Sequence, residues 1–284
     1  MTRQKSFETG KASLYLVATP IGNLEEMTPR AVETLKNADI IAAEDTRNTG
    51  KLLKHFGITT KMIAYHLFNE GESSDGIVKL LREGKNVALV SDAGYPLMSD
   101  PGQTVTVKAI EEGFPVITVN GPNAGISALV ASGLPAEPFT FYGFPGSKKG
   151  DRIRVFTKLK EREETLVFYE APHRIGKMLE DALSVFGDRK MCLARELTKL
   201  HEEYLRGTIS EVLEAVGSLK GEMVVVIEGY HPKEEEVPAE DWRAEIRALI
   251  GQGESKSAAI RKTAEKYGMS KNELYRKYFT EEHE

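Results

Sequence analysis

A single cysteine in 284 residues, Cys192, leaves no partner for an intramolecular disulfide, so the fold is held by packing and not by covalent staples. Long apolar runs are missing too: stretches such as Met223 to Ile227 fall far short of the ~20 residues a membrane span needs. The polar segment Met1 to Ser13 lacks the apolar stretch of a signal peptide. Together these absences point to a cytoplasmic protein. None of the four Gly-Lys pairs, at Gly10, Gly50, Gly84 and Gly176, has a glycine five positions earlier, so there is no P-loop. Gly121-Pro122-Asn123-Ala124-Gly125 lies between a strand and a helix but lacks GxGxxG spacing, which leaves NAD binding with little support. The six histidines and the cysteine never fall at zinc-ligand spacing, and HExxH and GxSxG are absent, so no metal is expected.

What is present is an ordinary globular composition, 40% hydrophobic and 29% charged, which disfavours disorder. The length suggests two domains at roughly 100–200 residues each. Apolar runs of five or six residues alternate with helical periodicity, the signature of α/β folds with largely parallel sheets. The first series of strands is expected at Leu14 to Ala18, Ile40 to Ala43, Met62 to Tyr65, Asn86 to Ser91 and Val116 to Val119. Thr28-Pro29 reads as N-cap and first residue of a helix through Ala38, and Ser74 as the cap of a helix through Leu81. A helix over Ala124 to Ser132 leads to a second series at Phe139 to Tyr142, Thr165 to Tyr169, Met191 to Arg195, Tyr204 to Thr208 and Met223 to Glu228. Its helices are expected at Arg152 to Lys160, Ile175 to Phe186 and Ile209 to Val216, and the closer strand spacing allows some antiparallel pairing. After Gly229 the composition turns abruptly acidic and Pro-flanked, and the last 45 residues read as helical with a small core. The division is therefore 1–120 and 121–230 as α/β domains, 231–240 as a linker and 241–284 as a helical module.

Three polar or Gly-rich segments follow first-domain strands and emerge at the carboxyl edge of the sheet, where open α/β sheets bind ligands. They are Thr19 to Leu24, Glu44-Asp45-Thr46-Arg47, and Asp92 to Gly102. The plain alternative is that Gly and Pro here only close turns. Glu44 to Arg47 reads either as an Arg clamp held by carboxylates or as a buried ion pair that fixes the loop. In the second domain, Phe168 to Arg174 sets His173 beside Glu170 and Arg174, and Arg195 to Lys199 with His201 and Glu202 repeats the charged strand end. Three charged edges in two domains suggest one cleft.

The ordered set Ala18 to Leu24, Glu44 to Arg47, Ser91 to Pro96 with Asp100 to Gly102, Ser132 to Leu134, Phe168 to Arg174 and Arg195 to Lys199 spans roughly residues 13 to 229. It resembles the small-subunit ribosomal RNA ribose methyltransferases of the tetrapyrrole methylase superfamily. The resemblance implies two α/β domains with S-adenosylmethionine in the cleft between them, a homodimer, and 2′-O-methylation of a cytidine in the decoding region. It implies that the loops at Pro20, Asp92, Ala93 and Gly94, and at Ser127 and Ala128, meet the methionine and ribose of the cofactor, with Glu170 and Leu197 near the adenine. Small residues at Ala93 or Gly94 let the backbone approach, and Leu97 or Met98 can cover the ligand. Glu44, Asp45 and Lys199 are the candidates to remove or orient the hydroxyl proton, with Arg47 and Arg174 placing phosphate or ribose.

The 38 basic and 43 acidic residues give a net charge of −5, which argues against a uniformly basic nucleic-acid coat. Charge is concentrated locally, however. Gly146 to Lys160 holds Lys148, Lys149, Arg152, Arg154, Lys158 and Lys160 against Asp151 alone, a patch suited to phosphate unless it is simply a solvated helix face. Ser255 to Phe279 carries seven Lys or Arg against Glu265 and Glu273, in a pattern compatible with a helix-turn-helix. Two other readings follow: a small-molecule, tetrapyrrole-like methyltransferase, and a ligand-sensing nucleic-acid binder without catalysis.

Overall fold

The computed structural model describes residues 3–6, 10–65, 70–217, 219–232 and 239–280. They form two compact units, Met1–Tyr230 and His231–Glu284. Most of the segment expected as a linker, 233–238, lies outside the described residues.

The first sheet of the larger unit contains β1 (Leu14–Val17), β2 (Ile40–Ala43), β3 (Met62–Ala64), β4 (Val87–Val90) and β5 (Val116–Val119). All pair in parallel, in the order β3-β2-β4-β1-β5. Parallel strands need crossovers, supplied here by α1 (Pro29–Asn37), α2 (Thr46–His55), α3 (Glu70–Arg82) and α4 (Gln103–Glu111). The strands are apolar on both faces because helices cover both. Val17, Ile41, Ala43, Ala88 and Val90 join Ala31, Leu35 and Leu53 from α1 and α2. Leu14, Leu16, Ala42, Val87 and Leu89 join Ile77, Leu81, Val105 and Ala109 from α3 and α4.

Thr28 caps α1 by accepting from Ala31 N, with Pro29 in the first turn, as its sequence predicts. Ser74 does not cap a helix. It is buried inside α3, which begins at Glu70, and its hydroxyl bonds the Glu70 carbonyl and Tyr65 Oη. The Thr46–His55 helix was not anticipated because its start looks like a polar loop; Asp45 is its N-cap.

The second sheet is mixed, in the order β6 (Phe139–Gly143), β7 (Thr165–Glu170), β10 (Met223–Ile227), β8 (Lys190–Arg195), β9 (Glu203–Thr208). Only β6 and β7 are parallel; β7-β10, β10-β8 and β8-β9 are antiparallel. One face packs on α6 (Lys149–Leu159), α7 (Ile175–Phe186) and α8 (Ile209–Ala215). The other receives α5 (Ala124–Ala131) through Ala128 and Leu129, and also Ile21 from the loop after β1. Through Ile21 the carboxyl edge of the first sheet is tied to the second.

Among the described residues the smaller unit is three helices, α9 (Ala239–Gly251), α10 (Lys256–Lys266) and α11 (Lys271–Thr280). Trp242, Ile246, Ala259, Ile260, Ala264 and Leu274 form its core. Ser255 caps α10 and Gly268, at φ 66°, makes the left-handed turn into α11.

Candidate active site

The sheet order places β1 and β4 side by side, so the loops leaving them are neighbours. A two-residue antiparallel bridge joins those loops: Thr19 N donates to the Gly94 carbonyl at 2.9 Å and Gly94 N to the Thr19 carbonyl at 3.0 Å. Beside this bridge, a cavity of about 340 Å³ opens between the two sheets. Ile21, Ala93, Gly94, Met98 and Asp100 come from the first-domain loops, Asn123 and Ala124 from the start of α5, and Tyr169, Glu170, Leu197, Met223 and Val224 from the second sheet and its loops.

Two loops at this cavity are held in backbone conformations that L-residues seldom adopt. Among the described residues, the non-glycines with positive φ are Leu97 (71°), Ser99 (74°), Glu196 (49°) and Thr198 (69°). The first pair flanks Met98 and precedes Asp100, and the second flanks Leu197. Such strain persists where surrounding structure enforces it, commonly at functional sites.

Asp100 carries the largest electrostatic perturbation in the cavity wall. Burial, with the like charges of Glu44 and Asp92 nearby, raises its carboxyl to about 6 despite a hydrogen bond from Ser91. Glu170 is a second carboxylate of the wall, and it is buried. Its Oε1 accepts from Arg174 Nε and from Ala171 N, each at 2.8 Å, while Oε2 is buried with no partner among the described residues. An unsatisfied carboxylate oxygen in a cavity wall is an acceptor awaiting a donor. Tyr169 Oη accepts from Gly125 N at 3.2 Å, and burial raises its pKa.

The residues expected from sequence distribute unevenly. Ala93, Gly94, Met98, Glu170 and Leu197 line this cavity. Pro20 and Asp92 instead line a smaller hollow against α2, on the other side of the bridged loops. Ser127 lies on a shallow depression with Met98 and Pro122, and Ala128 is wholly buried in the core between α5 and the second sheet.

Of the residues expected to remove or orient the proton, Lys199 is engaged in ion pairs. Its Nζ lies 3.1 Å from Glu196 Oε1 and 2.7 Å from Glu222 Oε2, and these carboxylates raise its pKa although desolvation opposes them. Those pairs favour the cationic form of the amine, which suits orienting a group better than removing a proton. Asp45 accepts from Arg47 N, Nε and Nη2, and those bonds lower it to about 2. The Asp45–Arg47 pair is not buried: the Arg47 side chain is 87% exposed. Glu44 is half-buried at the end of β2.

The basic segment also divides. Lys148 and Lys149 are exposed at the start of α6. Arg152 is not a surface contact: it is buried against Asp181, which the helical periodicity of residues 152–160 did not reveal. Arg174 is committed to Glu170. Asp100, Tyr169 and the start of β10 also line the cavity, without having been singled out as candidate site residues. Asp100 was signalled by Asp-Pro-Gly in a loop after a buried strand, but Met223 and Val224 read as core strand alone.

The sequence pattern described as Tetrapyrrole (Corrin/Porphyrin) Methylases matches residues 13–213. The chain is 44% identical to Ribosomal RNA small subunit methyltransferase I of Halalkalibacterium halodurans, over 99% of this chain and 100% of that protein. It is 42% identical to the protein of the same name in Bacillus subtilis, over 98% of each. Two solved structures share the fold: a uroporphyrin-III-C-methyltransferase of Thermus thermophilus (TM-score 0.57, 20% identity, 77% of this chain and 94% of that one) and a diphthine synthase (TM-score 0.61, 12% identity, 76% and 90%). With a family pattern over most of its length and relatives of this identity from end to end, the chain belongs to the tetrapyrrole methylase family.

Proposed function

We propose that this protein transfers a methyl group from S-adenosylmethionine to the ribose 2′-oxygen of a cytidine in small-subunit ribosomal RNA, acting as a cytoplasmic homodimer. Its family makes it a methyltransferase; the carrying observation for the RNA substrate is its 42–46% identity, over nearly the whole chain, to proteins named Ribosomal RNA small subunit methyltransferase I. No helix among the described residues is long and apolar enough to cross a membrane.

The residues of the larger cavity fit the cofactor. Its volume suits a nucleoside-sized ligand. Ile21, Met98, Leu197, Met223 and Val224 offer apolar walls, and the unpartnered Glu170 Oε2 offers an acceptor for an exocyclic amine. Asp100 offers a carboxylate, ionised above about pH 6, for the cationic end of the ligand. When bound, the sulfonium supplies an activated methyl carbon with a neutral thioether as leaving group. The protein's part is chiefly alignment, from which roughly 7–11 kcal/mol of barrier lowering is available. The strained Leu97–Ser99 and Glu196–Thr198 loops hold that geometry without waiting for ligand. Glu44, half-buried at the end of β2, is a candidate to orient the hydroxyl proton.

The test is radiolabelled methyl transfer to small ribosomal subunits and to naked ribosomal RNA, with the product mapped by reverse-transcription stops at low nucleotide concentration. Label on a cytidine ribose is expected. No transfer to either RNA form would remove this reading.

A further inference from the structure

The bridged loops have a second side. A separate hollow of about 230 Å³ is walled by Pro20, Gly22 and Leu24 from the loop after β1, by Ser91 and Asp92 after β4, and by Asn48, Lys51 and Leu52 of α2. It shares its walls with the larger cavity residue by residue: Pro20 and Gly22 face one and Ile21 the other, Asp92 one and Ala93 and Gly94 the other. Any group seated here therefore lies one loop away from whatever occupies the larger cavity.

The chemistry of its walls is specific. Lys51 is exposed at the rim and makes no hydrogen bond or ion pair among the described residues, unlike Lys199 and Arg152. Asn48 Nδ2 donates to Asp92 Oδ2 at 3.1 Å, which fixes that carboxylate and leaves its second oxygen to accept from another donor. Pro20, Leu24 and Leu52 supply a small apolar floor. Outside the hollow the cationic character continues. Helix α2 carries Arg47, Lys51, Lys54 and His55, all exposed, and no acidic residue; Arg47 and Lys51 are one turn apart on the same side. A lone cation, a fixed acceptor and an apolar floor match phosphate, hydroxyl and sugar carbons, and further cations along the helix match further phosphates of a polymer.

We propose that this hollow seats one sugar–phosphate unit of the RNA substrate, with Lys51 at the phosphate and Asp92, positioned by Asn48, accepting from a sugar hydroxyl. The inference deepens the proposed function and rests on it. It also gives α2 a role that neither basic segment noted in the sequence, at 146–160 or 255–279, would fill.

The experiment compares wild type with Lys51→Ala, Lys51→Glu and Asn48→Ala. For each, the Kd for S-adenosylhomocysteine is measured by calorimetry, the Tm by thermal melting, and KM for small subunits by methyl transfer at several salt concentrations. The expected result is a KM raised about tenfold in Lys51→Ala and more in Lys51→Glu. The dependence on salt should also become shallower, its log–log slope falling by about 0.7–0.9 for each phosphate no longer neutralised. Asn48→Ala should raise KM less, and all three should keep a Tm near that of wild type and a cofactor Kd within about twofold of it. An unchanged KM and salt slope in Lys51→Glu, with the wild type active on RNA, would overturn the inference alone. A wild type inactive on RNA would instead remove the function beneath it.

Discussion

Arg152 Nη2 lies 2.7 Å from Asp181 Oδ2 with both side chains almost fully buried, 4% and 5% exposed, so the most central cation of a basic segment is an internal strut of the second domain. Its Nη1 also donates to the Ser147 carbonyl at 2.9 Å, which fastens the chain entering α6 to α7. Removing one partner of such a pair strands a buried charge, at a cost of about 3–5 kcal/mol. Arg152→Ala should therefore lower stability by that order in urea unfolding. The paired replacement Arg152→Met with Asp181→Leu should recover most of the loss, since it leaves no orphaned charge. Wild-type stability in Arg152→Ala would show that the strut carries no weight.

Asp100 connects stability to pH with the opposite sign from most carboxylates. Its pKa is raised in the folded protein to about 6, so the fold binds a proton more readily than the unfolded chain between about pH 4 and 6. Stability contributed by this group is present at low pH and is lost as pH rises through 6. The cost above that pH is at most about 3 kcal/mol and less after solvent screening, because the side chain is only partly buried. Asp100→Asn should raise the Tm of the cofactor-free protein at pH 8 and leave it nearly unchanged at pH 4. The same variant should weaken S-adenosylmethionine binding, and wild-type binding should itself weaken below pH 6. A Tm difference independent of pH would refute the assignment.

Glu170 offers a sharper probe of the larger cavity. Glutamine keeps the shape and one acceptor for Arg174 but turns the unpartnered oxygen into a donor. A donor facing an exocyclic amine loses a charge-assisted hydrogen bond, worth roughly 1.5–3 kcal/mol. Glu170→Gln should thus weaken cofactor binding about tenfold or more by calorimetry. Unaltered affinity would place the adenine elsewhere.

Much of this architecture was legible in the residues because it follows from local rules. Alternating apolar runs marked the strands of both sheets, and closer spacing after Phe139 foreshadowed the antiparallel pairs of the second. The family resemblance implied cofactor contacts at Ala93, Gly94, Glu170 and Leu197, with Met98 as a cover, and all five line the larger cavity, near strand ends at a sheet edge where ligands gather. What stayed hidden depended on tertiary context. Arg152 looks like a phosphate contact until Asp181 arrives from another helix, and Lys199 looks like a base until Glu222 arrives from the start of another strand. Asp45 looked chemical because an N-cap and an acid share a residue type. Lys51 carried no signal at all, since one lysine in a helix is ordinary until the loops of β1 and β4 close a hollow around it.

Gly22 and Lys199 are the places where the first and last of the strand-end motifs touch. A Cβ at Gly22 would lie 2.6 Å from Lys199 Cγ and 2.8 Å from its Cε, so the lysine stem packs directly on the glycine. The stem is pinned at its far end by Glu196 and Glu222, and so cannot swing aside without breaking both pairs. Gly22→Ala should therefore cost about 1–3 kcal/mol, as overpacking does. Because the raised pKa of Lys199 keeps the pair intact up to the alkaline range, that cost should stay constant from neutral to mildly alkaline pH. Lys199→Ala should remove the clash with the lysine stem but not the cost of the positive φ, 158°, at Gly22, so Gly22→Ala should cost less in the Lys199→Ala background than in the wild type. Additive losses in this double-mutant cycle would mean that the two residues act separately, and the packing of lysine on glycine would then not be what joins the motifs.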